Sequence, residues 1–477
     1  MGRRKLRILF INPPYSYIAG IKDSAGHATP LNLCYLASYL RENIDCKISI
    51  MDCEVGEMSF KDIKNRIAEY NPDIVGITSP TPVFGYILKI AKIVKKINKN
   101  CYVVLGGPHP TALPEKSISD ENIDFLVLKE GEITLKELTE FIIAGKTNFE
   151  DIDGLVFKKE GKMIINKPRE YIKDLDSLPL PARDLLDIKK YHSAPTKRLS
   201  KYLSTSILTG RGCPYDCIHC ISNCLWNRKY RFRSVKNIVD EIEYCIKEFG
   251  IREFNFYDDT FTVIEDHVIE VCDEIISRGL EISWVCMGRV NTTTSRMVRK
   301  MRQAGCRKIS FGLESGSQEI LDKMRKNSTI EMARKAVKII NEEGINVHAS
   351  FMLGNIGETR ETVKETVEFA KSLDLDNATF FITTPYPGTD LYKIALEKEY
   401  INSRTKYEDF APITDAKPVI VQENIPAEEL IELRKKAFKQ FYLRPKYIIR
   451  KLRQINSFES FKSVLGGILI FLRLQKT

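Results

Sequence analysis

The chain alternates short β-rich runs with segments of helical apolar spacing, and it does so in two separate blocks. Parallel strands cannot be joined by a tight turn; their crossover takes a dozen or more residues, usually a helix. Such alternation predicts parallel sheets covered by helices. In the first block, strand candidates are Arg7–Asn12, Lys47–Met51, Ile74–Ser79, Tyr102–Gly106 and Phe125–Leu128. Helix candidates between them are Leu33–Arg41, Phe60–Tyr70, Phe84–Lys96 and Ile133–Ile143. This predicts an α/β doubly wound domain over residues 1–145. A connector follows over 146–200, with a hairpin at Val156–Ile165 that turns at Gly161, and Leu178-Pro-Leu-Pro-Ala182 beyond it. Residues 201–390 hold six further β–α steps, the pattern of a partial (β/α)6 barrel open on one side. Its strand candidates are Ser204–Thr209, Glu253–Tyr257, Ser283–Met287, Lys308–Gly312, Asn346–Met352 and Ala378–Thr383. Residues 391–477 read as a helical, basic C-terminal region.

A chain of 477 residues is too long for a single core, in keeping with this division. It contains no run of about 20 apolar residues, the length that spans a bilayer. Met1-Gly-Arg-Arg-Lys5 leads straight into a short apolar strand without a small-residue cleavage site, so no secretion signal is read and a cytoplasmic protein is expected. Cysteines clustered in a reducing compartment hold metal or do chemistry. Eight of the twelve stand singly in apolar surroundings and read as small hydrophobes. The other four lie within twelve residues, at Cys213, Cys217, Cys220 and Cys224. The net charge of +10 is concentrated at the end, where Leu433–Thr477 holds twelve Lys and Arg against one acid, Glu459.

Ligands of doubly wound sheets bind at the carboxyl ends of the strands. There the first block has Asn12-Pro13-Pro14, Ser79-Pro-Thr81-Pro82 and Gly106-Gly107-Pro108-His109-Pro-Thr111. No G-x-G-x-x-G follows the first strand and no G-x-x-x-x-G-K-[ST] occurs, so dinucleotide and P-loop readings lose their main support.

Cys213-Pro-Tyr-Asp-Cys217-Ile-His219-Cys220 directly follows the first strand of the second block, with spacing C-x3-C-x2-C. Structural zinc prefers four ligands in two separated pairs. Three close thiolates suit a cubane with one iron free of protein ligands, open to the amino and carboxylate groups of S-adenosylmethionine. Cys224 could instead complete an ordinary four-cysteine electron-transfer cluster.

The segment resembles the signature of the radical S-adenosylmethionine superfamily, with Cys213, Cys217 and Cys220 matching its three ligands to a [4Fe–4S] cluster. His219 stands where that family usually has Phe or Tyr, beside the adenine. Lys308–Gly316 resembles the fourth-strand motif, which implies that Glu314 and Ser315 contact the ribose or methionine part of the cofactor. Phe351–Glu358 resembles the fifth-strand stretch that places Gly354 beside the adenine. The second-strand motif of two glycines and a glutamate is absent. Tyr257-Asp258-Asp259-Thr260 replaces it, and either aspartate binds the cofactor amino group or caps the next turn. Tyr386, after the sixth strand, faces substrate or merely packs.

The first block resembles the cobalamin-binding domain that precedes this barrel in a subgroup containing class B methyltransferases and anaerobic magnesium-protoporphyrin cyclases. Leu105–Thr111 and Lys129-Glu130-Gly131-Glu132-Ile-Thr134 match its loops, and Asn12–Pro14 and Thr29–Leu31 its early part. The resemblance implies that Asn12, Pro13, Pro14, Ser79, Thr81, Gly106, Gly107, Pro108, His109, Thr111, Glu130, Gly131 and Glu132 surround cobalamin. The Asp-x-His-x-x-Gly motif is missing, so no histidine is expected on cobalt; His109 lies near the nucleotide tail or serves the turn.

Together these imply an enzyme that splits S-adenosylmethionine to a 5′-deoxyadenosyl radical and methylates an unactivated carbon of a small-molecule or lipid substrate. The electron comes from a reductant such as ferredoxin or flavodoxin. Ring formation, rearrangement or oxidative cyclisation without net methylation is the alternative, and a non-catalytic cobalamin sensor is a third. The basic tail, with aromatics among cations in Phe441–Arg453 and an apolar Val464–Leu472, suits peripheral contact with an anionic membrane or a helix over the barrel's open side. No nucleic-acid signature accompanies it.

Overall fold

The computed structural model describes residues 4–15, 26–56, 58–193, 203–401, 405–411, 418–421 and 424–453. By its internal contacts the chain divides into two compact units, the first essentially Thr29–Lys190 with the N-terminal strand, the second from Tyr191 onward.

In the first unit the strands are β1 (Leu6–Asn12), β2 (Cys46–Asp52), β3 (Ile74–Thr78), β4 (Tyr102–Gly106), β5 (Phe125–Val127), β6 (Leu155–Lys159) and β7 (Lys162–Ile165). They form one sheet in the order β2-β1-β3-β4-β5-β6-β7. The first five are parallel. The order therefore reverses between β1 and β3, which opens a crevice at their carboxyl ends. The hairpin β6–β7 pairs antiparallel with β5 and completes the sheet. Its first half buries Leu155 and Phe157 in the same core as Ile8, Phe10, Val104 and Phe125, so the segment read as a connector is part of this layer. Helices α1 (Leu31–Asn43), α2 (Phe60–Tyr70) and α3 (Phe84–Ile97) supply the first three crossovers, two short helices at Pro108–Ala112 and Pro114–Ile118 the fourth, and α4 (Glu132–Ile143) leads from β5 to the hairpin. The N-terminus of α2 is fixed by a reciprocal capping box between Ser59 and Asp62.

The second unit holds β8 (Ser204–Ile207), β9 (Glu253–Phe256), β10 (Ser283–Gly288), β11 (Cys306–Glu314), β12 (Asn346–Leu353) and β13 (Asn377–Ile382). They stand in sequence order, every neighbouring pair parallel. This is a six-stranded open barrel wall. Helices α5 (Val235–Phe249), α6 (Glu265–Ser277), α7 (Ser295–Gln303), α8 (Ile330–Glu342) and α9 (Arg360–Ser372) connect the strands. Helix α5 starts at its cap Ser234, whose side chain accepts from the Asn237 amide, and stops at left-handed Gly250.

Three helices follow, a short one at Asp390–Glu397 and then α10 (Ala427–Tyr442) and α11 (Pro445–Arg453). Two cations of α11 are engaged on the barrel. Arg450 pairs with Asp374 and donates to the Leu375 carbonyl, Lys451 lies 3.8 Å from Asp376, and Tyr447 donates to the Asp376 carbonyl at 3.0 Å. The apolar Val464–Leu472 lies outside the described residues. Among the described residues no helix is long and apolar enough to cross a membrane. Seven of the eight scattered cysteines are buried and Cys46 is half-buried, as small hydrophobes would be.

Candidate functional site

The cysteine loop leaves the carboxyl end of β8 under the control of a neighbouring strand. Asp258, two residues past β9, is buried, and its Oδ1 accepts from the Thr209 amide (2.9 Å), the Thr209 hydroxyl (2.8 Å) and the Gly210 amide (2.6 Å). One carboxylate thus clamps the take-off of the loop. Burial pushes Asp258 up to about 6 against the pull of those hydrogen bonds. Its Oδ2 is buried with no hydrogen-bond partner among the described residues. Asp259 is exposed and accepts from Ser222 Oγ at 2.7 Å.

Cys213 and Cys217 are buried and Cys220 half-buried, all three as free thiols. Cys213 Sγ lies 3.7 Å from Thr260 Oγ1. Burial pushes the Cys220 thiol up to about 12, with Asp259, Cys217 and Cys213 adding to the rise. A thiol in such a place ionises only for a cation, and metal binding supplies that drive. Among the described residues no three His, Cys, Asp or Glu side chains converge on one point. Three thiolates that each hold a different iron of a cubane need no such point, so the donor set fits an iron–sulfur cluster. Cys224 lies on the short helix Ser222–Trp226.

At the end of β11 the register against β12 shifts between Gly312 and Glu314, and Glu314 takes a left-handed φ of 66°. Bulges of this kind re-aim a side chain. Glu314 Oε1 accepts from Lys326 Nζ at 2.9 Å, and both side chains are only 10% exposed. Burial opposes ionisation of Glu314, yet the cations of Lys326 and Arg289 hold its carboxyl below the usual range. Burial pushes His219 down to about 4, against Glu314 and with the help of Lys326 and Arg289, so its ring is neutral at physiological pH.

The structure places the remaining barrel candidates as follows. Ser315 is inside the fold; its hydroxyl meets Thr366 Oγ1 at 3.0 Å and accepts from the Ser317 amide at 3.1 Å, joining β11 to α9. Gly354 is left-handed, and a Cβ there would lie 2.5 Å from a Leu430 methyl of α10, so the group that approaches its bare Cα is a helix of the same unit. Tyr386 is half-buried with its ring 6.4 Å from that of Phe410, and its carbonyl accepts from Thr389 Oγ1 at 2.6 Å. Besides Lys326, two more residues went unassigned in the sequence. Glu358 is fully buried and its Oε2 accepts from the Gly354 and Asn355 amides at 2.5 and 2.9 Å; burial pushes it up to about 7. Arg289 donates from Nη1 to Cys217 Sγ at 3.5 Å. Glu358 was legible as the last residue of the fifth-strand stretch, while nothing in the pattern around Arg289 marks it.

In the first unit the strand-end loops are laced together. Asn12 Nδ2 donates to Asp52 Oδ1 at 2.9 Å, and Pro13 and Pro14 are buried behind it. The Ser79 amide donates to the Gly106 carbonyl (2.8 Å) and its own carbonyl accepts from the His109 amide (2.9 Å). Gly107 has φ of 100°, and a Cβ on it would stand 3.1 Å from the Ser79 nitrogen, so only glycine closes this turn without strain. Pro108 then opens a short helix, Pro108–Ala112. Thr111 Oγ1 donates to the Gly107 carbonyl at 2.9 Å and accepts from the Lys129 amide at 3.1 Å. Glu130 Oε2 accepts from the Ile172 amide at 2.9 Å. Gly131 and buried Glu132 begin α4.

His109 is fully buried, 3.2 Å from Thr81 Oγ1 and with its ring 4.0 Å from that of Phe84. Burial pushes it down to about 4, which keeps it neutral. Ser79 Oγ is buried with no hydrogen-bond partner among the described residues. An unsatisfied hydroxyl at the switch point, among neutral polar groups, fits a large amide-bearing cofactor such as cobalamin.

A model of the radical SAM superfamily matches residues 207–370, and a model of the B12 binding domain matches residues 18–139. An uncharacterised methyltransferase of Pyrococcus horikoshii is 36% identical over 98% of this chain and 99% of its own length. The anaerobic magnesium-protoporphyrin IX monomethyl ester cyclase of Rubrivivax gelatinosus is 28% identical over 93% of this chain and 78% of its own. Among solved structures, the radical S-adenosylmethionine methyltransferase TsrM from Kitasatospora setae, with cobalamin and a [4Fe–4S] cluster bound, has the same fold: TM-score 0.68, 20% identity, 83% of this chain and 75% of that one.

Fold and comparisons together define a radical enzyme. The chain belongs to the cobalamin-binding radical S-adenosylmethionine proteins. Its cofactors are a [4Fe–4S] cluster, S-adenosylmethionine and cobalamin.

Proposed function

We propose that this enzyme transfers a methyl group to an unactivated carbon of a small-molecule or lipid substrate. The observation that carries the reading is its end-to-end similarity, at 36% identity, to a relative named a methyltransferase. The cytidylyl-2-hydroxyethylphosphonate methyltransferase of Streptomyces wedmorensis, 26% identical over 93% of this chain and 91% of its own, supports it. When bound, the cluster supplies the electron that splits S-adenosylmethionine and cobalamin supplies the methyl group, so the cofactors carry the hard chemistry and the protein supplies placement.

The protein's share follows from its residues. Cys213, Cys217 and Cys220 hold the cluster, on a loop whose exit from β8 Asp258 fixes through three hydrogen bonds. Glu314 is held ionised by Lys326, ready to accept hydrogen bonds from a ribose or an ammonium group. Neutral His219 beside it adds a polar face without adding charge. In the first unit, Ser79, Thr81, His109, Thr111 and the backbone of Gly106–Pro108 form a neutral cradle for cobalamin. A low-potential reductant of the ferredoxin or flavodoxin class delivers the electron. Residues 1–145 act as the cobalamin domain, completed by the hairpin of 146–200, with 201–390 as the radical domain and 391–477 as the basic C-terminal region. The tail packs on the barrel through α11, and its basic charge supports peripheral contact with an anionic membrane.

Ring formation without net methylation is the second reading, favoured by the cyclase relative from Rubrivivax gelatinosus. The test is the reconstituted enzyme with methyl-labelled S-adenosylmethionine and extract of a deletion strain. Label in a product heavier by one methylene supports methyl transfer. Deoxyadenosine with a product that has lost hydrogens and carries no label overturns it.

A further inference from the structure

Arg289 stands one residue past β10, and its backbone is fixed before its side chain begins. Its amide donates to Thr262 Oγ1 at 3.1 Å, and its carbonyl accepts from the hydroxyls of Thr292 (3.1 Å) and Thr293 (2.8 Å). The guanidinium is then held from several directions. Nε donates to Asn291 Oδ1 at 3.2 Å, Nη2 donates to the Lys326 carbonyl, and Cζ lies 3.7 Å from the centre of the Tyr215 ring. Asn291 also donates to the Tyr215 hydroxyl at 3.2 Å, which locks ring and guanidinium together. One nitrogen is left, Nη1, and it donates to Cys217 Sγ at 3.5 Å.

The charge balance is the telling point. Arg289 is 8% exposed. Among the described residues its hydrogen-bond and ring partners are an amide, a carbonyl, a ring and a thiol, and none is a carboxylate. Glu314, whose charge Arg289 also feels, accepts its hydrogen bond from Lys326. Two buried cations, Arg289 and Lys326, thus share one buried carboxylate, and an excess of buried positive charge is costly. The negative charge that belongs beside it is that of cysteine thiolates on a cluster.

We propose that Arg289 is the built-in counter-charge of the iron–sulfur cluster, a hydrogen-bond donor to the Cys217 sulfur that raises the cluster's reduction potential. Net charge and hydrogen bonds to sulfur are among the terms that set such potentials. A cation on the thiolate stabilises the electron that the external reductant delivers to the cluster, so the electron enters more readily. Arg289 is a positioning and tuning residue, and the inference rests on the reading of Cys213, Cys217 and Cys220 as the ligands.

The experiment is a potentiometric titration of the reconstituted holoenzyme without S-adenosylmethionine, followed by electron paramagnetic resonance of the reduced cluster. In Arg289→Gln the midpoint falls, so that at the wild-type midpoint the reduced-to-oxidised ratio drops about tenfold, equivalent to about 59 mV for one electron. Asn291→Asp keeps Arg289 but sets an acid against its Nε, and it lowers the midpoint by a smaller step in the same direction. It carries the test should Arg289→Gln fail to retain iron. An unchanged midpoint in either variant with wild-type iron and sulfide overturns the proposal. So does weaker cofactor binding with the midpoint unmoved, which would make Arg289 a contact for the S-adenosylmethionine carboxylate. Cys217→Ala tests the ligand reading separately. Full iron there removes that reading, whereas an unmoved midpoint in a fully loaded Arg289→Gln removes only the role of Arg289.

Discussion

The strand ends of the two units solve one architectural problem with opposite electrostatics. After β3 and β4 of the first unit the polar side chains are neutral, among them a serine, two threonines and a histidine whose burial keeps it uncharged, and the buried acids Glu130 and Glu132 enter only after β5. In the barrel the polar groups include three acids, a lysine and an arginine, all buried. Buried charges are tolerable only when paired, and the barrel pairs Lys326 with Glu314 while Asp258 leans on three donors. A neutral cradle suits a large cofactor studded with amides. A charged one suits an iron–sulfur cluster and a sulfonium.

The comparison can be broken most sharply at the cysteines. Alanine at Cys213, Cys217 or Cys220 should bring both bound iron and S-adenosylmethionine cleavage to background while leaving the corrin absorbance of the first unit intact; loss of corrin with iron would deny that the two sites are separate. Next comes the buried pair. Lys326→Met strands Glu314 and should cost about 3–5 kcal/mol in denaturant unfolding of the barrel, with Glu314→Gln similar. If the pair is dispensable, the barrel's charges are not the constraint described. The neutral cradle should fail by shape instead. Gly107→Ala forces a left-handed alanine against Ser79 and should cost about 1–3 kcal/mol, with weaker retention of cobalamin in the purified protein and no change in iron.

A fourth prediction concerns acid–base behaviour. Burial lifts Glu358 to about 7, from an ordinary carboxyl value of 4.5. The native state therefore holds that proton more tightly than the unfolded chain does. Its contribution to stability is complete below about 4.5 and is lost as pH rises through about 7. Melting temperatures of Glu358→Gln should fall less steeply over this range than those of the wild type; parallel curves would refute the assignment. The smallest effect belongs to the tail. Arg450→Gln removes a surface pair with Asp374 and should change stability by no more than about 1 kcal/mol in thermal unfolding.

Regular structure was largely legible because its causes are local. The apolar period of Val235–Phe249, with Ser234 before it and Gly250 after, marks both ends of α5 as found. The three cysteines and the Gly106–Thr111 loop were legible because spacing alone carries their chemistry. What escaped depends on partners distant along the chain. The hairpin at Leu155–Ile165 reads as an isolated turn until its pairing with β5 is known. The charge count of the tail overstates its free cations, because Arg450 and Lys451 meet Asp374 and Asp376 about 75 residues upstream. Arg289 is one arginine between a glycine and a valine, and its meaning lies 72 residues away at Cys217.

The Glu314–Lys326 pair also dictates which amino acids the strand beneath it will admit. A Cβ at Gly312 would lie 2.1 Å from Glu314 Oε1 and 3.2 Å from Lys326 Nζ. Even alanine there must evict the carboxylate from its partner. A saturation library at codon 312, selected for bound iron, should return glycine and little else. Second-site revertants of an alanine variant would be expected at 314 or 326, where shortening or removing both charges together relieves the crowding.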